Sequence, residues 1–333
     1  MKIIRRAQNL EQTLATPYGE KGCVLTIGNF DGVHIGHREI IKLARQQASK
    51  KGTKFVAMTF EPHPVAILRP DKVPQVLTPL LLKQHLLAEC GVDALIVLRD
   101  THELLRLSAE DFFFEFLVKK VRPSVVVEGE DFNFGAGRTG NVNMLSQIGA
   151  RKGIEVLEVP LKKVQLAGGQ MVRASSTTIR YMLESGHVAE ARILLGRAYR
   201  LAGKIVPGKG RGKELGFPTL NMDRSTKQVI PTEGVYAGLV EIAESEEEAC
   251  KVGAQKMAVF SIGQARTFGD EHPLLIEAHL LDGAGNNCFG KWMAMDFVQH
   301  IRRQHKFKSG RELSAQIAKD CERAKEILAM NEH

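Results

Sequence analysis

A change of rhythm near residue 186 constrains this chain more than any other feature. Before it, short apolar runs alternate with amphipathic stretches. Val24–Ile27 reads as a strand, and Ile40, Ile41, Ala44 and Ala48 then recur at helical spacing. FVAMTF (55–60), ALIVL (94–98), SVVV (124–127) and 156–159 read as further strands, with helices over 80–87, 109–118 and 144–150 between them. Nearly continuous apolar strands between helices predict an α/β domain with a parallel sheet covered on both faces. Two short helices, 178–183 and 187–195, mark the transition. Beyond it the runs GKIVPG, VYAGLVEI, MAVFSIG and LLIEAHLLD are separated by Gly, Pro and polar turns. That pattern predicts a small antiparallel sheet or barrel. The helical period returns only at 309–330, through Leu313, Ile317, Cys321, Ala324 and Leu328. We place the boundary at 185–200, and two domains suit a length of 333 residues.

Composition excludes several classes. With 44% hydrophobic and 25% charged residues the chain is neither disordered nor fibrous. Five dispersed cysteines form no staple framework, which predicts a reducing cytoplasm. MKIIRRAQNLEQ has no apolar stretch behind its basic residues, so no secretory signal is expected, and no run approaches a membrane span. The net charge of +8 suits nucleic acid or a small polyphosphate. One Trp and four Tyr without basic–aromatic interleaving argue against nucleic acid. The acidic run Glu244–Glu248 reads as an exposed hairpin loop.

GNFDGVHIGH (28–37) joins the first strand to the first helix. Gly28, Gly32 and Gly36 allow tight turning, and the helix start offers free amides to a phosphate. His34 and His37 are spaced to share one side and to donate to charge developing on a phosphate. A metal site and a plain turn with solvent-facing histidines are the alternatives. FEPHP puts His63 at the end of the next strand, where a simple turn explains it equally well. SSTTIR (175–180) offers hydroxyls for a helix cap or, with Arg173 and Arg180, for a polyphosphate. Gly135–Gly140 fits the letters G-x-G-x-x-G but lies past its strand. Gly285–Lys291 fits a phosphate loop except that Trp292 replaces the hydroxyl residue.

GKGRGKELGFPTLN (208–221) combines glycines with Lys209, Arg211 and Lys213, which suits an anion or a basic surface loop. Thr219 and Asn221 point the same way on an extended segment and offer hard oxygens to magnesium. Glu277 interrupts an apolar strand, either on its wet face or as a general base.

GNFDGVHIGH, TFEPHP, GEDFNFG, SSTTIR, GKGRGKELGFPTLN and PTEGVYAG, in that order, resemble the bifunctional bacterial riboflavin kinase/FAD synthetase family over nearly the whole chain. The resemblance implies a Rossmann-like nucleotidylyltransferase domain (1–186) joining FMN and ATP into FAD. It implies a six-stranded riboflavin kinase barrel with a C-terminal helix at 187–333. His34, His37, Asn29 and Arg180 would act in adenylyl transfer. Gly28, Phe30, Asp31, Gly36, His63, Asp131, Phe132, Phe134, Arg138, Ser176 and Thr177 would line its nucleotide and flavin. Glu277 would be the kinase base, Thr219 and Asn221 would hold Mg²⁺ with ATP, and Gly208, Lys209, Gly210, Arg211, Gly212 and Phe217 would cover the phosphates. Implied partners are ATP, riboflavin and FMN, with no nucleic acid or membrane, in a cytoplasmic monomer or weak homo-oligomer. Departures fall in the second domain: Ser261 and Arg266 replace the usual Asn and Pro, Leu220 the common Ala, and Phe289 a Tyr. They leave open a single-activity FAD synthetase whose barrel only binds flavin. A non-enzymatic flavin or nucleotide sensor touching RNA is the remaining alternative.

Overall fold

A computed structural model describes residues 1–5, 22–98, 102–166, 168–208, 210–264, 274–283 and 288–331. The chain forms two compact units. One comprises Met1–Pro74, Lys83–Gln165 and Met171–Ala174; the other comprises Gln75–Leu82, Leu166–Gln170 and Ser175–His333.

The first unit is built on strands β1 (Lys2–Arg5), β2 (Cys23–Ile27), β3 (Lys54–Phe60), β4 (Ala94–Leu98), β5 (Pro123–Gly129) and β8 (Glu155–Val159). They form one parallel sheet in the order β1-β4-β3-β2-β5-β8. Two small antiparallel pairs, β6 (Asn133–Phe134) with β7 (Gly140–Asn141) and β9 (Lys163–Gln165) with β10 (Met171–Arg173), complete its strands. Every residue of β2 and β4 is buried, as expected when helices cover both faces. Helix α1 (Ile35–Lys51) buries Ile41, Ala44 and Ala48, and ends at Gly52 in the left-handed conformation (φ 61°). Helices α2 (Leu80–Glu89) and α3 (Val142–Ala150) follow the expected periods. The 109–121 segment is a short α-turn running into a π-helix, Phe112–Val121. Its wider turn brings Phe112, Phe116, Leu117 and Val121 onto one buried face. Strand β1 carries only two apolar residues between charges and gives no strand signal in the sequence.

The second unit is a closed barrel of antiparallel strands in the order β11-β12-β15-β14-β13-β16. These are β11 (Tyr199–Val206), β12 (Leu220–Met222), β13 (Gly234–Ala243), β14 (Lys256–Gln264), β15 (Leu274–Leu280) and β16 (Trp292–Arg302). Tyr199, Tyr236 and Phe260 all contact Phe297 in its interior, at ring separations of 5.0–6.3 Å. Strand β16 is eleven residues long and pairs with both β11 and β13, closing the cylinder. The acidic run ends as a one-turn helix, Glu246–Ala249, in the β13–β14 hairpin.

Helix α4 (Ser176–Glu184) and helix α5 (Val188–Leu195) belong to this second unit. The sequence pattern groups α4 with the first domain. Thr232 N–H donates to the Leu183 carbonyl at 3.1 Å, and Arg180 Nε to that of Gln75 at 2.8 Å. Helix α6 (Gly310–Ala329) lays Cys321, Ala324, Ile327 and Leu328 against Val235, Ala237, Val259 and Val298. Asp320 is buried beside them, gripped by Arg302 at 2.7–3.0 Å.

Candidate active sites

In the first unit the strand order reverses at β2, with β3, β4 and β1 to one side and β5 and β8 to the other. The crevice beyond the carboxyl ends at such a point is where open α/β sheets bind ligands. Gly28–His37 leaves β2 there and Asp131–Phe134 leaves β5 there. As β2 and β5 diverge, Ile27 N–H donates to Glu128 Oε1 at 2.6 Å. A buried amide left bare would cost about 1–3 kcal/mol. Burial pushes the Glu128 carboxyl well above the usual carboxylate range, and the Ile27 hydrogen bond opposes that.

The turn itself is strained. Phe30 (φ 46°) and the β-branched Val33 (φ 41°) lie in the left-handed region, which β-branched residues rarely enter. Such outliers cluster at functional sites. Phe30 is buried with its ring over Gly28, where a Cβ would sit 3.2 Å from it. A Cβ on Gly36 would lie 3.1 Å from the His34 ring, so glycine lets that ring approach the helix start.

His34 and His37 stack with centroids 3.7 Å apart. His37 N–H donates to His34 Nδ1 at 3.3 Å, which caps α1 and puts the His34 ring proton on Nε2. Burial, then His34, then Lys83 hold His37 well below the usual imidazole range, so it is neutral. Its Nδ1 has no hydrogen-bond partner among the described residues, and neither does Asn29 Oδ1. The Asn29 amide lies 2.9 Å from His63 Nε2, while Val65 N–H donates to His63 Nδ1 at 3.2 Å. An imidazole with one proton cannot accept at both nitrogens, so Asn29 presents its oxygen to Nε2–H and turns its NH₂ toward the crevice. His63 thus orients Asn29.

Asp31 is buried near Lys83. Asp131 pairs with Arg173. Phe132 is half-exposed and stacks on Phe134 at 5.7 Å. Phe134 is buried against Phe112, so it supports Phe132 from the core. Arg138 is exposed on a turn. The G-x-G-x-x-G letters around it form a 3₁₀ turn and a small hairpin, away from the first strand–helix turn.

In the second unit, Ser175 is the cap of α4, accepting from Thr178 N–H at 3.1 Å. That leaves the exposed Thr177 and half-buried Ser176 without the capping task. Within the barrel, Asn221, Glu277 and Ser261 are direct neighbours across β12, β15 and β14. Alternation buries Leu220, Ile276, Ala278 and Ile262 inward and sets these three polar residues on the other face. Thr219 Oγ1 donates to Glu277 Oε1 at 3.2 Å. Burial raises the Glu277 pKa and the Thr219 hydrogen bond lowers it. Gly208 is required by close approach, since a Cβ there would lie 2.3 Å from Asn221 Nδ2. Gly212 is equally tight against the Phe217 carbonyl, and Gly210 (φ 74°) precedes the short helix Arg211–Glu214. Phe217 meets His279 edge-on at 5.4 Å. Lys209 and Arg266 lie outside the described residues. Gln304 Nε2 donates to Ser261 Oγ at 2.9 Å, and Phe289 is exposed.

Residues 17–176 match the family model for FAD synthetase, and 195–328 match that for riboflavin kinase. A bifunctional riboflavin kinase/FMN adenylyltransferase from Escherichia coli K12 is 37% identical over 330 residues, covering 99% of both chains. The chain belongs to the bifunctional riboflavin kinase/FMN adenylyltransferase family. The Haemophilus influenzae member is 34% identical, covering 98% of each chain. A solved structure described as a macrolide-efflux protein from Streptococcus pneumoniae shares the architecture, with TM-score 0.81 and 28% identity over 98% of this chain and 99% of that one. No helix among the described residues here is long and apolar enough to cross a membrane. For this bifunctional family member, sequence reasoning missed Glu128 and Lys83. Each is a charge on a buried face, a signal visible only once strand and helix phases are assigned.

Proposed function

We propose that this chain phosphorylates riboflavin to FMN and then transfers the adenylyl group of ATP to FMN, giving FAD and pyrophosphate. The adenylyl-transfer region is residues 1–186 and the kinase region 187–333. The observation that carries the reading is the juxtaposition of Thr219, Asn221 and Glu277 on one barrel face, together with a stacked His34–His37 pair at the sheet's switch point.

In adenylyl transfer the acceptor is a phosphate already ionised at neutral pH. The protein must hold two anions together and neutralise charge as the α-phosphorus is attacked. His34 Nε2–H and the Asn29 NH₂ are the donors for that charge. Ser176, Thr177 and Arg180 are assigned to the departing pyrophosphate, and Gly28, Phe30, Asp31, Gly36 and His63 to shaping the nucleotide crevice. Asp131, Phe132 and Arg138 serve the flavin and nucleotide side.

In the kinase step the acceptor is a neutral alcohol. Glu277 takes its proton, and a raised pKa makes it a better base. Gly208, Lys209, Gly210, Arg211, Gly212 and Phe217 cover the ATP phosphates. Among the described residues no group of three His, Cys, Asp or Glu is arranged to hold a metal. The Thr219 hydroxyl and Asn221 carbonyl are hard oxygens that fit magnesium arriving with ATP, and Thr219 donates its proton to Glu277, leaving its lone pairs free. That ion would neutralise phosphate charge. All five cysteines are free, which supports a cytoplasmic location.

The test is a chromatographic time course with riboflavin, ATP and Mg²⁺, and FMN supplied in parallel. FMN followed by FAD is expected. FAD from supplied FMN with riboflavin untouched would leave a single-activity synthetase.

A further inference from the structure

Two Lys or Arg side chains are buried among the described residues, and they are held in opposite ways. Arg200, 4% exposed, is gripped by Asp296 through Nε–Oδ1 (2.9 Å) and Nη2–Oδ2 (2.6 Å), with Glu241 at 3.5 Å. That is the usual way to keep a cation out of water. Lys83, 6% exposed, has neither a hydrogen bond nor an ion pair among the described residues. It sits on the inward face of α2, in line with the buried Leu86 and Leu87 at the next turn. An ammonium placed there is costly, and the acids that act on it, Asp31 and Glu61, form no direct ion pair with it, so it is suited to a ligand that supplies negative charge at contact.

The surroundings say which ligand. The Lys83 charge is felt at His37, whose protonation it opposes. Burial lowers the Lys83 pKa, while Asp31 and Glu61 raise it. Helix α2 links the parallel strands β3 and β4, so its first turn, which carries Lys83, starts on the carboxyl-end side of the sheet, where the strained turn and the end of β3 also lie. His37 there is a neutral ring. Hydrogen bonding from neutral groups leaves the charge of a triphosphate unopposed, and two polar groups without a partner among the described residues, His37 Nδ1 and the Asn29 NH₂ as oriented by His63, mark the same crevice as waiting for polar occupancy.

We propose that Lys83 is a polyphosphate-binding residue of the adenylyl-transfer site, its ammonium completed by phosphate oxygens of ATP. This rests on the reading of the first unit as an FMN adenylyltransferase. Lys83 holds the chain's opposing charge where His34 and Asn29 hold its directed donors. The division lets His37 stay neutral beside a polyanion.

The test uses the full chain with Lys83→Met, Lys83→Gln and Lys83→Arg. Lys83→Met should lower kcat/KM for ATP in FAD formation by about 100-fold or more, the scale of losing one charge-stabilising contact. Riboflavin phosphorylation in the same sample should stay within about twofold, because Glu277 and Thr219 are untouched. Lys83→Arg should recover roughly a tenth of the lost rate or more by keeping the charge. Calorimetric binding of inorganic pyrophosphate should weaken in Lys83→Met and Lys83→Gln alike. The melting temperature of Lys83→Met should stay close to that of the parent chain, since no hydrogen bond or ion pair is lost and relief of a buried charge offsets the lost attraction of Asp31 and Glu61. Adenylyl transfer within about threefold of the parent in Lys83→Met would overturn the assignment. So would a lowered melting temperature with pyrophosphate binding unchanged in Lys83→Gln, which marks a structural lysine. If the parent chain makes no FAD from FMN yet binds pyrophosphate through Lys83, the adenylyl-transfer reading fails and the phosphate site stands.

Discussion

In the first unit the candidate site hangs on a turn between a strand and a helix; in the second it lies on a ladder of strands. The turn carries two non-glycine residues at positive φ and a stacked pair of imidazole rings. The ladder carries Asn221, Glu277 and Ser261 in ordinary antiparallel register. The difference follows the acceptor. A phosphate acceptor needs donors aimed at developing charge, and a strained turn brings backbone and rings close. A hydroxyl acceptor needs one well-placed base, and a strand places a carboxylate rigidly beside its neighbours. The lesson is that two phosphate-handling sites on one chain call for opposite protonation behaviour: an imidazole, His37, kept neutral, and a carboxylate kept ready to take a proton.

The sharpest way to break this comparison is His34→Ala together with Glu277→Ala, made separately. Glu277→Ala should cut FMN formation by about 100- to 10,000-fold while FAD formation from supplied FMN stays within about twofold. His34→Ala should do the converse, lowering FAD formation by about 100- to 1,000-fold. If either variant lost both activities with its fold intact, the sites would not be separate. A pH series sharpens the same point. The kcat/KM of the kinase should fall as pH drops through the raised Glu277 value, because the base becomes protonated. Adenylyl transfer should show no limb from His37 near the ordinary imidazole pKa, because burial keeps that ring neutral well below it.

Much of this contrast was legible in the residues. GNFDGVHIGH, FEPHP and the Thr219–Asn221–Glu277 set are local motifs, and strand alternation alone puts Asn221 on one face. The strand-to-helix order of the first unit was legible for the same reason, since β2, β3, β4 and β5 are continuous apolar runs. Strand β1 was not, because KIIR is half charged and pairs only at an edge. Strand β16 was not, because WMAMDFVQHIR mixes apolar residues with Asp296, which is buried only by virtue of Arg200. Helix α4 was legible from its Ser175 cap, whereas its hydrogen bonds to Thr232 and Gln75, residues far along the chain in either direction, were not. Glu128 and Lys83 were invisible for a common reason. A charge reads as solvated until the fold shows what covers it.

Smaller effects refine the comparison. Ser261 stands directly opposite Glu277, with Gln304 donating to it. Ser261→Asn should change riboflavin phosphorylation by no more than about tenfold in steady-state assays, since one neutral hydrogen bond is at stake. The smallest effect is expected from Glu128→Gln. The folded carboxyl keeps its proton to higher pH than the unfolded one, so its stabilising contribution is complete below the ordinary carboxylate range and is lost as pH rises through the raised folded value. The glutamine amide oxygen still accepts from Ile27, so the variant should be equally or more stable at neutral pH. Its melting temperature should lack that slope, as read by calorimetry at several pH values.

Strand β16 also sets a timetable. The parallel sheet has its last strand once residue 159 is made, but the barrel cannot close until residue 302 has left the ribosome. At about 5–20 residues per second, the intervening stretch takes on the order of 7–30 s. During that interval β11 and β13 each lack the neighbour that β16 will become, and their unpaired edges are open to other chains. A nascent polypeptide stalled between these points would therefore carry a finished sheet and an unclosed barrel, and that is the length at which chaperones would have most to hold.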